Sequence, residues 1–177
     1  MSRGLLLVDI QNDYFPGGAM ELVGMDRAAA RAAEALEAFR AESLPVFHVQ
    51  HLAAQPGATF FQPGTPGAEI HPLVAPRDGE ARVQKHFPNG FRGTPLLDRL
   101  RDRGVTDLTL CGAMSHMCID ATTRAAFDLG FSCTVLADAC ATRDLAFSGV
   151  AVPAAQVHAA FMAALAAVYA RVSGADG

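Results

Sequence analysis

The chain predicts an α/β fold of three α-β-α layers, a mostly parallel sheet between helices, and three observations carry that expectation. Short apolar runs alternate with helical stretches along most of the 177 residues. The first of these runs, Gly4-Leu-Leu-Leu-Val8, is five residues of apolar strand ending in a carboxylate. The stretches between them repeat their apolar residues at helical spacing.

The first strand is expected at 4–9, where Leu5, Leu6, Leu7 and Val8 lead to Asp9. A helix at 25–42 follows: Ala28, Ala32, Ala35, Leu36 and Phe39 form one stripe, and Arg31, Glu34, Glu37 and Arg40 take the other side. Pro45 stops further helix and opens a strand at 45–49. A strand at 82–85, a helix at 94–103 and a strand at 107–112 come next. The remainder reads as a helix at 118–129, a strand at 132–137, a helix at 153–166 and a last strand at 168–172. Residues 52–79 are rich in Pro, Gly and Ala and too long for an ordinary connection, so they are expected to cover the site. Their Phe60–Phe61 pair suits either a pocket wall or a subunit interface.

Composition bounds the function. At 51% hydrophobic content the chain suits one compact domain, and a net charge of −4 with scattered Arg argues against nucleic acid. The uncharged stretch 145–170 contains Pro153, Gln156 and His158, and reads as a buried or interfacial helix rather than a membrane span. A strand that begins within four residues leaves no room for a leader, so a cytoplasmic protein is expected. The four Cys lack CxxC spacing, which argues against a structural zinc site, and Cys111 and Cys133, inside expected strands, read as reduced core residues. There is no GxGxxG after the first strand, no GxxxxGK[ST] and no GxSxG, so dinucleotide, P-loop and serine-hydrolase chemistries lose their main support.

Three residues point to chemistry instead. Cys118 follows Leu108–Gly112 and a turn, at the expected start of a helix, where unpaired N–H groups favour a thiolate. Lys85 is the only Lys among 14 basic residues, and a compact ammonium can approach a thiolate or carboxylate as a point charge where a guanidinium does so less well. Asp9 ends the first strand at the carboxyl edge of the sheet, where open α/β folds build their sites. Asp13 reads as a turn residue bonding nearby amides.

The order Asp9, Lys85, Cys118 resembles the isochorismatase-like cysteine hydrolases. The likeness extends through Leu7-Val-Asp-Ile-Gln-Asn-Asp13, Gly64-Thr-Pro-Gly-Ala-Glu-Ile-His-Pro72, Lys85-His-Phe-Pro-Asn-Gly-Phe91 with Thr94, and Gly112-Ala-Met-Ser-His-Met-Cys118. It implies a parallel six-stranded sheet and hydrolysis of a small, non-peptide amide through a thioester. Asp9 would be the general base and later acid, Lys85 the electrostatic partner and Cys118 the nucleophile. The resemblance further implies a cis Ala113–Met114 bond, with the Met114 and Cys118 amides as oxyanion donors. Relatives that bind a metal carry Asp-x-His after the second strand; here that stretch is His48-Val-Gln-His51-Leu52, without an acid, so neither metal nor organic cofactor is expected. His51 would line the pocket, with Phe15, Phe87, Asn89, Phe91, His116 and Met117 as further pocket candidates. Relatives form homo-oligomers, so a dimer or tetramer is expected. The alternatives are an isochorismatase-type vinyl-ether hydrolase, which needs an Arg-rich anion site where only Arg92 lies near a motif, and an idle scaffold or sensor, which has no need of all three residues.

Overall fold

The computed structural model describes residues 2–174. Its main sheet has six strands, β1 (Ser2–Val8), β2 (Val46–His51), β3 (Ala81–Lys85), β4 (Val105–Ala113), β5 (Ser132–Ala141) and β8 (Arg171–Ser173), all paired in parallel in the order β3-β2-β1-β4-β5-β8. Strand order runs outward in both directions from the β1–β4 pair, which makes the crevice at their carboxyl ends the topological switch point.

Alternation along β1 sets the two layers. Leu5 and Leu7 face α1 (Met25–Ala41), whose buried stripe of Ala28, Ala29, Ala32, Ala35, Leu36 and Phe39 includes the expected residues. Leu6 and Val8 face the opposite side, with Leu96 and Leu100 of α2 (Leu96–Asp102), Ala126 of α3 (Asp120–Asp128), and Met162 and Leu165 of α4 (Ala154–Val168). Each of these β1 side chains is 2% exposed or less, and burial of one such chain contributes about 1.5–3 kcal/mol.

Gly112 lets β4 lie against β1 at the switch point. A Cβ there would stand 1.9 Å from the Val8 carbonyl oxygen, and its φ is +127°. Beyond it the Ala113–Met114 peptide is cis.

Several elements depart from expectation. β1 stops at Val8, and Asp9 lies beyond it with φ +52°. The helix expected from residue 118 begins as a π turn, Ser115–Ile119, in which the Ile119 amide reaches the Met114 carbonyl. β5 runs on to Ala141, with a register break against β4 between Leu110 and Gly112. The uncharged stretch opens not as helix but as a hairpin, β6 (Leu145–Phe147) and β7 (Val150–Val152), and the last strand begins three residues later than expected and ends one later.

The long connection after β2 is held down along its length. It contains two 3₁₀ turns, Pro66–Ala68 and Pro72–Val74, and pairs with the segment after β1 through Asn12 N–H to Glu69 C=O, His71 N–H to Ile10 C=O and the Phe61 amide to Asp13 Oδ2 at 2.6 Å. Asp13 thus bonds amides as expected, Ala19 as well as Phe61. Gly67 is required for this docking, since a Cβ there would lie 2.0 Å from Asp13 Oδ1. Phe61 is 1% exposed within this chain, which makes it a wall and not an interface residue.

Candidate active site

Asp9, Lys85 and Cys118 come from three strand ends and meet in the crevice. Lys85 Nζ lies 2.7 Å from Asp9 Oδ2 and 3.2 Å from Cys118 Sγ. A third contact was not expected: the same ammonium lies 2.8 Å from Nδ1 of His51. Asp9 and Lys85 are wholly buried and Cys118 is 5% exposed.

Local backbone explains the convergence. The left-handed turn at Asp9 swings its carboxylate out of the strand alternation, and neither oxygen accepts a backbone hydrogen bond. Its lone pairs are left to Lys85 and the thiol. β2 and β3 pair His51 with Lys85 directly, which sets the two side chains together. Gln11 fixes that end of β2: its Oε1 accepts from the His51 amide at 2.7 Å, and its Nε2 donates to the carbonyls of His51 and Ala68. Cys118 sits in the π turn, an irregularity often found at functional sites.

The electrostatics correct one expectation. Cys118 is not biased toward thiolate: burial and then Asp9 push its pKa well up, and Lys85 only partly offsets them. For Lys85, burial opposes the charge but Asp9 and Cys118 outweigh it, so its pKa is raised and it stays an ammonium. Burial, reinforced by Lys85, brings His51 down to about 4, so its ring is neutral and accepts the Lys85 proton.

Donor atoms of Asp9, His51 and Cys118 all lie within 4.8 Å of one another, which by spacing alone would suit a cation. Lys85 already supplies that cation, within hydrogen-bonding distance of all three. The residue two before His51 is the buried Val49, and His71 is stacked on Phe15 with centroids 3.7 Å apart. The residues present do not fit a metal.

The other pocket candidates divide. Met117 adjoins the nucleophile and is 40% exposed, and Phe87 is 37% exposed beneath the Arg92 guanidinium. Asn89 caps a turn by accepting from the Phe91 amide, Phe91 stacks with Phe131, and Phe15 is 5% exposed in the cluster that also holds Tyr14 and Met114. His116 is held by Thr142 Oγ1 at 2.6 Å and lies edge-on to Phe161.

Sequence reasoning missed Tyr14. It is 2% exposed, packs on Phe61 with centroids 4.6 Å apart, and its phenol is pushed up by burial and then by the nearby Asp9 and Cys118. Among the described residues its hydroxyl has no hydrogen-bond partner.

The isochorismatase domain model matches residues 3–176. The chain belongs to the isochorismatase family. It is 51% identical over 172 residues to the isochorismatase family protein YddQ of Bacillus subtilis, covering 97% of this chain and 96% of that one. It is 32% identical over 158 residues to the nicotinamidase/pyrazinamidase of Mycobacterium tuberculosis, covering 77% and 84%. The crystal structure of an isochorismatase hydrolase from Oleispira antarctica superposes with a TM-score of 0.96 at 54% identity, over 99% of this chain and 94% of that one. The six-stranded parallel α/β architecture expected from the resemblance is therefore the family's, and this isochorismatase-family protein is a hydrolase. Among the described residues no helix is long and apolar enough to cross a membrane.

Proposed function

We propose that the protein hydrolyses the C–N bond of a small, non-peptide amide through a thioester on Cys118. The observation that carries the reading is the buried cluster in which one ammonium joins Asp9, His51 and Cys118. Similarity to a nicotinamidase/pyrazinamidase supports an amide as substrate.

The thiol's raised pKa makes a base necessary, and Asp9 supplies it. As Sγ attacks the carbonyl carbon, the S–C bond forms and the thiol proton passes to Asp9. Negative charge develops on the carbonyl oxygen, which the Met114 and Cys118 amides receive. Asp9 then returns its proton to the departing nitrogen as the C–N bond breaks. The thioester is opened by water, which loses a proton to Asp9 in turn, and the acid product leaves with the thiol restored. An oriented base contributes about 10²–10⁴-fold and each oxyanion donor about 10²–10³-fold. Lys85 stays charged throughout and holds the carboxylate against the nucleophile.

No metal or organic cofactor takes part in this scheme. The homo-oligomer expected from the sequence is supported by the uncharged outer face of α4 and by the hairpin, where Phe147 is 82% exposed.

The test is ammonia release from a panel of small amides, ureas and carbamoyl compounds by wild type and Cys118→Ala, with mass spectrometry of acid-quenched wild type. Turnover confined to wild type and an acyl adduct on Cys118 are expected. Turnover that persists in Cys118→Ala would overturn the reading.

A further inference from the structure

The Met114 carbonyl accepts from the Met117 and Ile119 amides at 3.0 and 3.2 Å, on either side of Cys118, so the first turn of the π segment closes on a single oxygen. A turn closed at one point needs outside support to keep its amides aimed alike. Two consecutive side chains provide that support. His116 Nδ1 lies 2.6 Å from Thr142 Oγ1, and Ser115 Oγ lies 2.8 Å from His158 Nδ1 and 3.3 Å from the Ala141 carbonyl oxygen.

Ser115 directly follows Met114 and is wholly buried. Its hydroxyl has one proton, and the Ala141 carbonyl can only accept. Both contacts are made at once only if Ser115 donates to Ala141 while Nδ1–H of His158 donates to Ser115 Oγ. The result is a relay from α4 through the turn to the end of β5. The same helix meets the turn one residue on, where Phe161, three residues after His158, lies edge-on to His116. Packing does not account for the imidazole. His158 is half-buried on the wall of a cavity of about 510 Å³ between α1, β5 and α4, with Val23, Ala28, Ala141 and Ala155. A side chain on a cavity wall makes fewer contacts than one in the core, so the hydrogen bond is what ties His158 to the turn.

We propose that His158 is a positioning residue for the oxyanion site: through Ser115 it holds the Met114–Cys118 turn so that the amides of those two residues point at one oxygen of the reacting carbonyl. This rests on the amidase reading and adds to it a residue of α4, outside the strand ends that supply Asp9, Lys85 and Cys118. His158 acts through Ser115 alone. Without it the turn relaxes and the oxyanion loses its donors, while the thiol keeps its contact with Lys85.

The test separates the oxyanion from the thiol. Iodoacetamide alkylates Cys118 by displacement: the S–C bond forms as the C–I bond breaks and iodide leaves, and no oxyanion arises. Propionaldehyde adds to the same thiol: the S–C bond forms, the C=O π pair moves onto oxygen and the thiol proton passes to Asp9, so an oxyanion lies where the amides point. Aldehyde affinity is read by mass spectrometry at about pH 8.5 as protection of Cys118 against iodoacetamide, and needs no known substrate. His158→Asn carries an amide where Nδ1 was and His158→Gln carries one where Nε2 was, so only Asn can still bond Ser115 Oγ. His158→Gln is expected to weaken aldehyde binding by about tenfold to a hundredfold, and to lower kcat on any amide turned over by the same factor with KM little changed. His158→Asn should stay within about threefold of wild type on both, and neither variant should shift the alkylation rate by more than about twofold. Ser115→Ala should match His158→Gln, and the double variant should lose no more than either alone. Equal losses in the Asn and Gln variants, additive losses in the double variant, or alkylation falling in step with aldehyde affinity would overturn the inference, as would a wild type that propionaldehyde does not protect. Aldehyde affinity that depends on His158, without hydrolysis of any amide, would count against the amidase reading and leave the positioning role standing.

Discussion

Lys85 Nζ and His51 Nδ1 lie 2.8 Å apart, so an imidazole shares the ammonium that also serves the carboxylate and the thiol. An ammonium has three protons, and here each has a named acceptor. The cation is thereby fixed in direction as well as in place.

Removing the imidazole should loosen that cation without removing it. His51→Ala is expected to lower kcat by about 10–10²-fold, as misplacement of a catalytic group by about 1 Å does, with KM little changed. Since the folded ring titrates near 4, below its unfolded value, it is neutral at pH 7, and wild-type activity should fall as pH drops through about 4. Steady-state pH profiles of wild type and variant check both points.

Lys85 should not be replaceable. Lys85→Met leaves Asp9 buried without its cation, which costs about 3–5 kcal/mol of stability and abolishes turnover. Lys85→Arg keeps the charge but not a compact head, and should fail to restore activity. Urea unfolding alongside ammonia release separates the two effects.

The raised pKa of Cys118 has a direct signature. In the absence of substrate, its alkylation by iodoacetamide should keep rising with pH beyond about pH 10, where a free cysteine has levelled off. A plateau near pH 7 would show a preformed thiolate instead. In turnover, Cys118→Ser should lose at least about 10⁴-fold in kcat.

Away from the site, Glu80 bridges Arg40 and His48 at 2.7 and 2.8 Å. Burial works against its charge, but Arg40, the Arg77 amide and His48 prevail and hold its pKa at about 2. A lowered carboxylate pKa gives stability that is present above the unfolded value and lost as pH falls toward the folded one. Glu80→Gln should therefore cost about 1–3 kcal/mol at pH 7, and the gap from wild type should close between about pH 4.5 and 2. Thermal melts across that range measure it.

Gly112→Ala should not fold to the native state. The added methyl would meet the Val8 carbonyl at 1.9 Å, where both partners are backbone of adjacent central strands, so more than about 4 kcal/mol is expected. Circular dichroism of the purified variant decides this.

What the sequence made legible was periodicity and rarity. The β1 run, the α1 stripe and a single Lys among thirteen Arg each stand out against their surroundings. The hairpin did not, because its strands are three residues each and lie in an uncharged, Ala-rich stretch; only Ser148-Gly149, both at positive φ, marked the turn. β5 was cut short because its pairing with β4 shifts register where the apolar run is interrupted by Asp138. The roles of His51 and Tyr14 depend on strand register and on a loop folding back, neither of which is local.

Gln11 joins the end of β2 to the long loop with one side chain: His51 at two points and the Ala68 carbonyl at a third. A segment so tied cannot swing aside as a flap while the cluster behind it keeps its shape, because the motion that frees the loop also frees His51 and, through it, Lys85. Traffic into this cup is therefore expected to pass on the far rim, beside the exposed Met117, with side chains rather than the loop acting as the door.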